Sequence, residues 1–332
     1  MAAKASALAL GLGAAAAAAI GLRRWLAYYE SDEAYLRLAE RVRLRLAPPS
    51  QSRFRVVAVV PYGMRLLGQY VIGTNDEAGH VQASICAERA AFVQLALRLR
   101  RNNAPPRTIR AVFIVTDSST PILPGLMCRE FMCASRFTQP EETYVVSASA
   151  KIAIVAPRAT LAQLLPHASP YTRLDGLEQT HLGESLAKVL ERPAAGTAAA
   201  RVYAAAHAAA QHDTRDDLHP LRYGAACYVG EKIHVSHQRK ALEYGCTLDA
   251  VSLLAQHLDA HKTDKDVFIA MVDQYGVAHA PFAGARAFLS EHGHGASQVL
   301  CHDAQGKLAV VAASDLAPDP PAFAHGDLLQ TP

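Results

Sequence analysis

The stretch SICAERAAFVQLAL, residues 84–97, decides how the rest of this chain is interpreted. Its apolar residues recur with the period of a helix, and Cys86 and Glu88 stand at the start of that helix. A helix N-terminus favours a thiolate, because its free N–H groups and its dipole stabilise negative charge. The stretch therefore places a soft metal ligand close to a carboxyl group that can carry a proton.

A second helix start is predicted downstream, in PGLMCREF at residues 124–131. Cys128 lies in the first turn of this helix and is a second candidate thiolate ligand. A metal held by both cysteines would lower the pKa of a bound water, and Glu88 would transfer the protons. The two stretches together predict a metal site with a proton-carrying carboxyl group beside it.

Composition limits the class of protein. The chain has 332 residues, 51% of them apolar and 19% charged, which is typical of about two globular domains. Its formal net charge of +3 is too small to favour nucleic-acid binding, and no basic stripe alternates with aromatic residues. Six cysteines are too sparse for a disulfide framework and favour a reducing compartment.

The predicted elements repeat along the chain. The order helix, hairpin, helix, strand, helix, strand occurs twice with a period of about 160 residues. This repeat pairs Cys86 with Cys246 and Arg129 with Arg286. It predicts an α/β fold with α-β-α layers, in which each of two tandem domains has a central mixed sheet with helices on its faces. The predicted boundaries are 1–29 for a leader, 30–168 and 196–317 for the domains, 169–195 for a linker, and 318–332 for a Pro-rich tail.

Several pieces of the first copy resemble the zinc-dependent cytidine deaminases. Cys86-Ala87-Glu88-Arg89 and Cys128-Arg129 resemble the two halves of the active site of that family. The other matching pieces are Phe54 at the start of a strand, residues 73–77 (GTNDE) before the first half, and residues 160–168 at the end of the copy. Their order and spacing are more specific than any one tetrapeptide.

The resemblance implies an activity and a set of site residues. The activity is hydrolytic deamination of cytidine or deoxycytidine to uridine or deoxyuridine in pyrimidine salvage. One zinc ion per chain would be held in the first domain only, with Cys86 and Cys128 as ligands and Glu88 as the proton shuttle. Phe54, Asn75 and Glu77 would contact the nucleoside.

One position departs from the family pattern. Members have Pro-Cys-x-x-Cys at the second helix, whereas this chain has Gly125 in place of the first of those two cysteines. Four outcomes remain open: His80 or Cys133 replaces the missing ligand, two cysteines hold a weak site with extra waters, or no zinc binds. The last outcome would make the chain an impaired pseudo-deaminase that acts as a nucleoside-binding or scaffolding oligomer.

The second copy is predicted to lack this chemistry. Leu248 replaces the glutamate, and Phe282 and Ala285 stand at the two cysteine positions of its second helix. Val235 and His237 are aligned with the residues that would bind ribose. The resemblance then implies tandem-domain enzymes that form homodimers with four similar units, in which the non-catalytic domain helps to close the neighbouring pocket.

The first 29 residues contain no acidic residue and include an uncharged run at residues 5–22, followed by Arg23 and Arg24. A membrane anchor, a cleaved secretory signal, an organelle transit peptide and an Ala-rich disordered leader are the alternatives. We expect a cytoplasmic protein, or one anchored by residues 5–22 with its globular part in the cytosol. Membrane contact is expected only through this leader.

Overall fold

A computed structural model describes residues 31–62, 69–79, 83–101, 108–260 and 266–321. It confirms the predicted α/β class, with two mixed sheets flanked by helices. The chain divides into two compact units. The first consists of the described residues of Met1–Ile122 together with Thr143–Arg158, and the second of Leu123–Glu142 together with the described residues of Ala159–Ala322.

The first unit contains two helices and four strands around one apolar core. In the first sheet these strands follow the order β2-β1-β3-β4; β1 is antiparallel to both of its neighbours, and β3 is parallel to β4. The helices are α1 (Asp32–Arg43) and α2 (Ala87–Arg101), and the strands are β1 (Val56–Pro61), β2 (Tyr70–Thr74), β3 (Ala111–Thr116) and β4 (Tyr144–Ala148).

Sequence chemistry explains where the elements of this unit begin and how they pack. The Ser31 side chain accepts a hydrogen bond from the Ala34 amide and caps α1, which begins with two acidic residues. On β2, a Cβ at Gly73 would lie 2.0 Å from the Ala87 carbonyl oxygen. Only glycine allows this close approach, which places the start of α2, with Cys86 and Glu88, directly against the sheet.

The second unit contains a sheet in the order β11-β10-β8-β6-β7, with β9 paired to β8. Strands β8 and β10 are parallel, and the other pairs are antiparallel. Its helices are α3 (Leu126–Ala134), α4 (Leu161–Leu164), α5 (Gly176–Leu186), α6 (Ala198–Ala210), α7 (Ala255–Ala260) and α8 (Ala283–Glu291). Its strands are β5 (Ala159–Thr160), β6 (Tyr223–Val229), β7 (Lys232–His237), β8 (Phe268–Asp273), β9 (Ala278–His279), β10 (Gln298–His302) and β11 (Leu308–Ala312).

The structure corrects the predicted linker and describes little or nothing of three other predicted segments. The segment interpreted as a linker contains the helix α5, which a capping box between Asp175 and Glu178 begins. The predicted hairpin turn at residues 62–64, the leader and most of the Pro-rich tail fall largely or wholly outside the described residues. None of the helices in the described part of the chain has the length and apolar character that a bilayer crossing requires.

The backbone pairing shows how the two copies correspond. Asp76 bridges to Ile85 in the first copy, and Arg239 bridges to Leu248 in the second. The position after each bridge is Cys86 in the first copy and Asp249 in the second, so the predicted pairing of Cys86 with Cys246 is wrong. A nearby cysteine misled the alignment, whereas the strand register identifies the counterpart.

The same register corrects the alignment of the predicted ribose segment. The amide of Asn75 donates to the Val56 carbonyl, and the amide of Gln238 donates to the Tyr223 carbonyl in the same way. Gln238 is therefore the counterpart of Asn75, and Lys240 the counterpart of Glu77. Val235 and His237, which the sequence analysis aligned with these positions, lie within strand β7.

Candidate metal site

Cys86 and Glu88 lie at the start of α2, where the sequence predicts them. The Cys86 carbonyl accepts the first intrahelical bond, from the Ala90 amide at 3.0 Å. Glu88 is 4% exposed, so its carboxyl group is shielded from bulk water. A shielded carboxyl group beside metal ligands can transfer protons to and from a bound water without exchange with bulk solvent.

Arg89 also belongs to this end of α2 and was not singled out from the sequence. Its guanidinium donates to the Cys86 sulfur at 3.7 Å and to the Ser84 carbonyl at 3.3 Å. A neighbouring cation stabilises a thiolate. The available signal was the i, i+3 spacing of Cys86 and Arg89, which places both side chains on one face of a helix.

Gly125 caps the helix that carries Cys128. It is the N-cap residue of α3, and its carbonyl accepts hydrogen bonds from the amides of Cys128 at 2.9 Å and Arg129 at 3.0 Å. Cys128 is fully buried in the first turn of this helix. The prediction that Cys128 begins a second helix is confirmed.

The structure brings Cys86, Glu88 and Cys128 together. One ligand atom from each of these side chains lies within 4.8 Å of the other two. Zinc–sulfur bonds of about 2.3 Å place the ligands of one ion within about 4.6 Å of each other, so this spacing is close to that of a metal site. Two thiols and a carboxyl group are also a donor set that suits zinc.

Gly125 stands where the family pattern has a third thiolate ligand, and it supplies no side chain to bind a metal. A Cβ built on Gly125 would meet no atom within 4 Å, so the position is open space rather than a filled one. Two thiolates, from Cys86 and Cys128, would therefore hold an ion here, with the carboxyl group of Glu88 beside it. That is one sulfur ligand fewer than the family pattern supplies.

Cys133 is not the replacement ligand. Its thiol donates to the Leu161 carbonyl at 3.8 Å, and burial raises its pKa to about 12, so it remains protonated near neutral pH. It lies more than one helical turn beyond Cys128, on another face of α3. His80, the other candidate, lies outside the described residues.

The predicted nucleoside contacts bind the protein's own backbone. The Asn75 amide oxygen accepts from the Val56 amide and its nitrogen donates to the Phe54 carbonyl, both at 2.8 Å. The Glu77 carboxylate accepts from the amide of Ser52 at 2.7 Å and from its hydroxyl group. These bonds fix the two side chains beside the buried ring of Phe54.

The counterpart positions in the second copy do not carry this donor set. Asp249 caps its own chain by accepting from the amides of Val251 and Ser252, at 2.9 and 3.0 Å. Val251 stands at the position of Glu88, and Ala285 at that of Cys128. Among the described residues, Cys86, Glu88 and Cys128 form the cluster of side chains that could hold a metal ion.

The other four cysteines are Cys133, Cys227, Cys246 and Cys301, and none of them forms a disulfide in the described part of the chain. Cys246 is exposed in a short 3₁₀ turn, unlike Cys86, its predicted counterpart at the start of a helix. Cys227 and Cys301 are buried, and burial raises their pKa values to about 12 and about 11. Both thiols therefore act as small apolar core groups.

Comparison with known proteins gives structural neighbours but no sequence relatives. No family model and no curated protein matches the chain. The cytidine deaminase of Burkholderia pseudomallei is similar at a TM-score of 0.34 with 23% identity, over 42% of this chain and 99% of that one. The cytidine deaminase of Mycobacterium tuberculosis has a TM-score of 0.30 with 22% identity, over 37% of this chain and 96% of that one.

A third neighbour, the cytidine deaminase of Mycobacterium leprae, has a TM-score of 0.29 and 22% identity, over 40% of this chain and 93% of that one. At scores of this size, any assignment of chemistry has to come from the side chains of the chain itself.

Proposed function

We propose that this protein is a zinc-dependent hydrolase that deaminates cytidine or deoxycytidine to uridine or deoxyuridine, as a step of pyrimidine salvage. The observation that carries the proposal is the cluster of Cys86, Glu88 and Cys128, with ligand atoms within 4.8 Å of one another. When bound, zinc would lower the pKa of a coordinated water and so supply a nucleophile at neutral pH. The two thiolates would hold the ion.

Glu88 is the proposed proton carrier. Hydrolytic deamination requires one proton to leave the attacking water and to reach the ring nitrogen, and another to reach the departing ammonia. A single carboxyl group close to the metal ligands can make both transfers through its two oxygen atoms. The burial of Glu88 keeps that group away from competing bulk water.

Phe54, Asn75 and Glu77 are the proposed nucleoside contacts. The backbone bonds of Asn75 orient its amide and leave one N–H of Nδ2 for a ribose hydroxyl. The Glu77 oxygens retain lone pairs beyond those that the Ser52 amide and hydroxyl use. Held in this way, both side chains would bind a sugar without first losing rotamer freedom.

A second candidate function is favoured by Gly125, which supplies no ligand side chain. In this alternative the chain is an impaired deaminase that binds nucleosides or serves as a scaffold in a homo-oligomer. A nucleoside-binding protein shares nucleoside binding with the first candidate, whereas a scaffold alone would form a tight oligomer without binding nucleosides. Only the first predicts bound zinc and turnover.

The test combines zinc content and cytidine turnover of the purified full-length chain. We expect about one zinc per chain and loss of cytidine absorbance in the ultraviolet, with Glu88→Gln retaining zinc but losing turnover by at least about a hundredfold. Less than about a tenth of an equivalent of zinc, together with turnover no higher than that of Glu88→Gln, would contradict the enzyme proposal. A nucleoside-induced thermal shift without turnover would favour the second candidate.

A further inference from the structure

A cavity of about 320 Å³ lies in the second unit, in the copy that lacks the metal donor set. Five of its lining residues are counterparts of positions at the candidate site of the first copy. Tyr223, Gln238, Lys240, Thr247 and Phe282 correspond to Val56, Asn75, Glu77, Ser84 and Gly125. The cavity therefore lies at the place in the second copy that corresponds to the candidate site of the first.

Two buried amide oxygens mark this cavity. Oε1 of Gln179 and Oε1 of Gln238 are buried and have no hydrogen-bond partner among the described residues, and both side chains line the cavity. The Gln179 nitrogen already donates to the Leu174 carbonyl at 3.0 Å, which orients its amide. Buried acceptors without donors are unfavourable, so a ligand that brings N–H groups would satisfy them.

Aromatic side chains form the apolar part of the cavity. The rings of Tyr223 and Phe282 meet edge to face, with centroids 5.3 Å apart and planes at 86°. Phe282 is half-buried and stands at the N-cap position that Gly125 holds in the first copy. A flat ring in the cavity could stack on Phe282, which is the geometry that aromatic pairs favour.

The charge in the cavity is already neutralised. The Lys240 side chain is buried and lies 3.2 Å from the Asp213 carboxylate, and its ammonium group also donates to the His219 carbonyl at 2.7 Å. An anionic ligand would therefore compete with Asp213 for this cation. The cavity favours a neutral ligand.

We propose that this cavity binds a neutral, planar heterocycle with N–H donors, the chemistry of a free nucleobase such as uracil. The ring would stack on Phe282 and donate to the amide oxygens of Gln179 and Gln238. Because Val251 and Ala285 replace the carboxylate and the thiolate of the first copy, the base is bound here and not converted. This proposal stands whether or not the first copy is a deaminase.

The test is calorimetric titration of uracil into the full-length chain carrying Cys86→Ala, which removes the candidate metal site of the first copy. A parallel titration into Glu88→Gln covers the case in which Cys86→Ala fails to fold. We expect about one uracil per chain, and affinity at least about tenfold weaker after Gln238→Leu or Gln179→Leu. The matched control is Gln211→Leu at an exposed position outside the cavity, which should bind as the parent does.

Unfolding temperatures separate binding from a structural role. Because the amide oxygen of Gln238 has no partner among the described residues, Gln238→Leu should leave the unfolding temperature of the ligand-free chain unchanged or higher. Gln179→Leu also loses the hydrogen bond to the Leu174 carbonyl, so its unfolding temperature should fall slightly. No heat with millimolar uracil in either background would overturn the proposal. So would unchanged affinity in both leucine variants, or a lower unfolding temperature of Gln238→Leu with binding retained.

Discussion

Gly125 is the residue on which the chemistry of the candidate site depends. It begins α3 in extended backbone, with φ −61° and ψ 155°, a conformation that any residue adopts. Its Cβ direction is open. Neither backbone strain nor lack of space therefore explains the glycine, and the position can accept a cysteine.

We predict that Gly125→Cys strengthens zinc binding by at least about tenfold, because it adds a third thiolate to Cys86 and Cys128. The measurement is competition for zinc with a chromophoric chelator. The matched control is Gly284→Cys, two residues beyond the counterpart of Gly125 and in the first turn of α8, where a Cβ also meets no atom within 4 Å. An equal gain in both variants would show that the added thiol acts nonspecifically.

Single residues show what the sequence could and could not predict about the site. Cys86, Glu88 and Cys128 were predicted from residue type and helix position, and the structure brings them together. The local bonds of Asn75 and Glu77 could not be predicted, because they join residues about 20 positions apart through the folded backbone. Cys133 was excluded by its buried contact with Leu161, in agreement with its spacing from Cys128, which places it on another face of α3.

At the scale of elements, two buried arginines hold equivalent places at the starts of α3 and α8. Each guanidinium donates four hydrogen bonds to backbone carbonyls, and the first, from Nε at 2.7 Å, goes to the proline five residues before it. The other acceptors of Arg129 are Leu164, Pro318 and Asp319, and those of Arg286 are Leu316, Pro166 and His167. The predicted pairing of Arg129 with Arg286 agrees with these matching bonds.

We predict that Arg286→Lys lowers the free energy of unfolding by about 3 kcal/mol or more, because a lysine cannot reach four carbonyls in this fork geometry and leaves buried acceptors without donors. Urea unfolding measures the change. The control is Arg37→Lys, an exposed residue that pairs with Glu33 and should change stability by less than about 1 kcal/mol. Equal small losses in both variants would contradict the role assigned to Arg286.

A network of ion pairs and hydrogen bonds joins the end of α1 to the residue after β3 within the first unit. Arg43 donates to the carboxylates of Glu40 and Asp117, and the Lys151 amide donates to Glu40 at 3.0 Å. The hydrogen bonds from Arg43 lower the pKa of Glu40. Arg43 is 3% exposed, so this network lies in the interior rather than on the surface.

The lowered pKa of Glu40 predicts a pH dependence of stability. A carboxyl group whose folded-state pKa lies below its ordinary value of about 4.3 stabilises the fold fully above that pH, and this contribution is lost as the pH falls through the folded-state pKa. We expect Glu40→Gln to flatten the loss of stability below about pH 4.3, measured by thermal unfolding across pH. Glu33→Gln, on the exposed face of the same helix, is the control. Parallel pH profiles for Glu40→Gln and the parent chain would contradict the assignment.

At the scale of the whole molecule, the repeat was predictable in outline and not in register. Hydrophobic periodicity gives the order of helices and strands in both copies, and the structure confirms it with two mixed sheets. Register depends on hydrogen bonds between strands, so the sequence alone could not show that Gln238 is the counterpart of Asn75. The helix α5 was missed because its polar sequence has little periodicity and is signalled mainly by its capping box.

The proposed homodimer is also a property of the whole molecule. The resemblance to tandem-domain deaminases implies a dimer of four similar units in which the second copy helps to close the partner's pocket. We predict that light scattering after size exclusion gives twice the 35.6 kDa mass of one chain. A mass of one chain at micromolar concentration would contradict this assembly.

X-ray diffraction at the zinc absorption edge, from crystals of the full-length protein, would show whether Cys86, Glu88 and Cys128 surround a zinc ion. We expect one anomalous peak per chain, about 2.3 Å from the sulfur atoms of both cysteines, and none near Asp249 in the second copy. An absent peak, or a peak away from Cys86 and Cys128, would contradict this expectation.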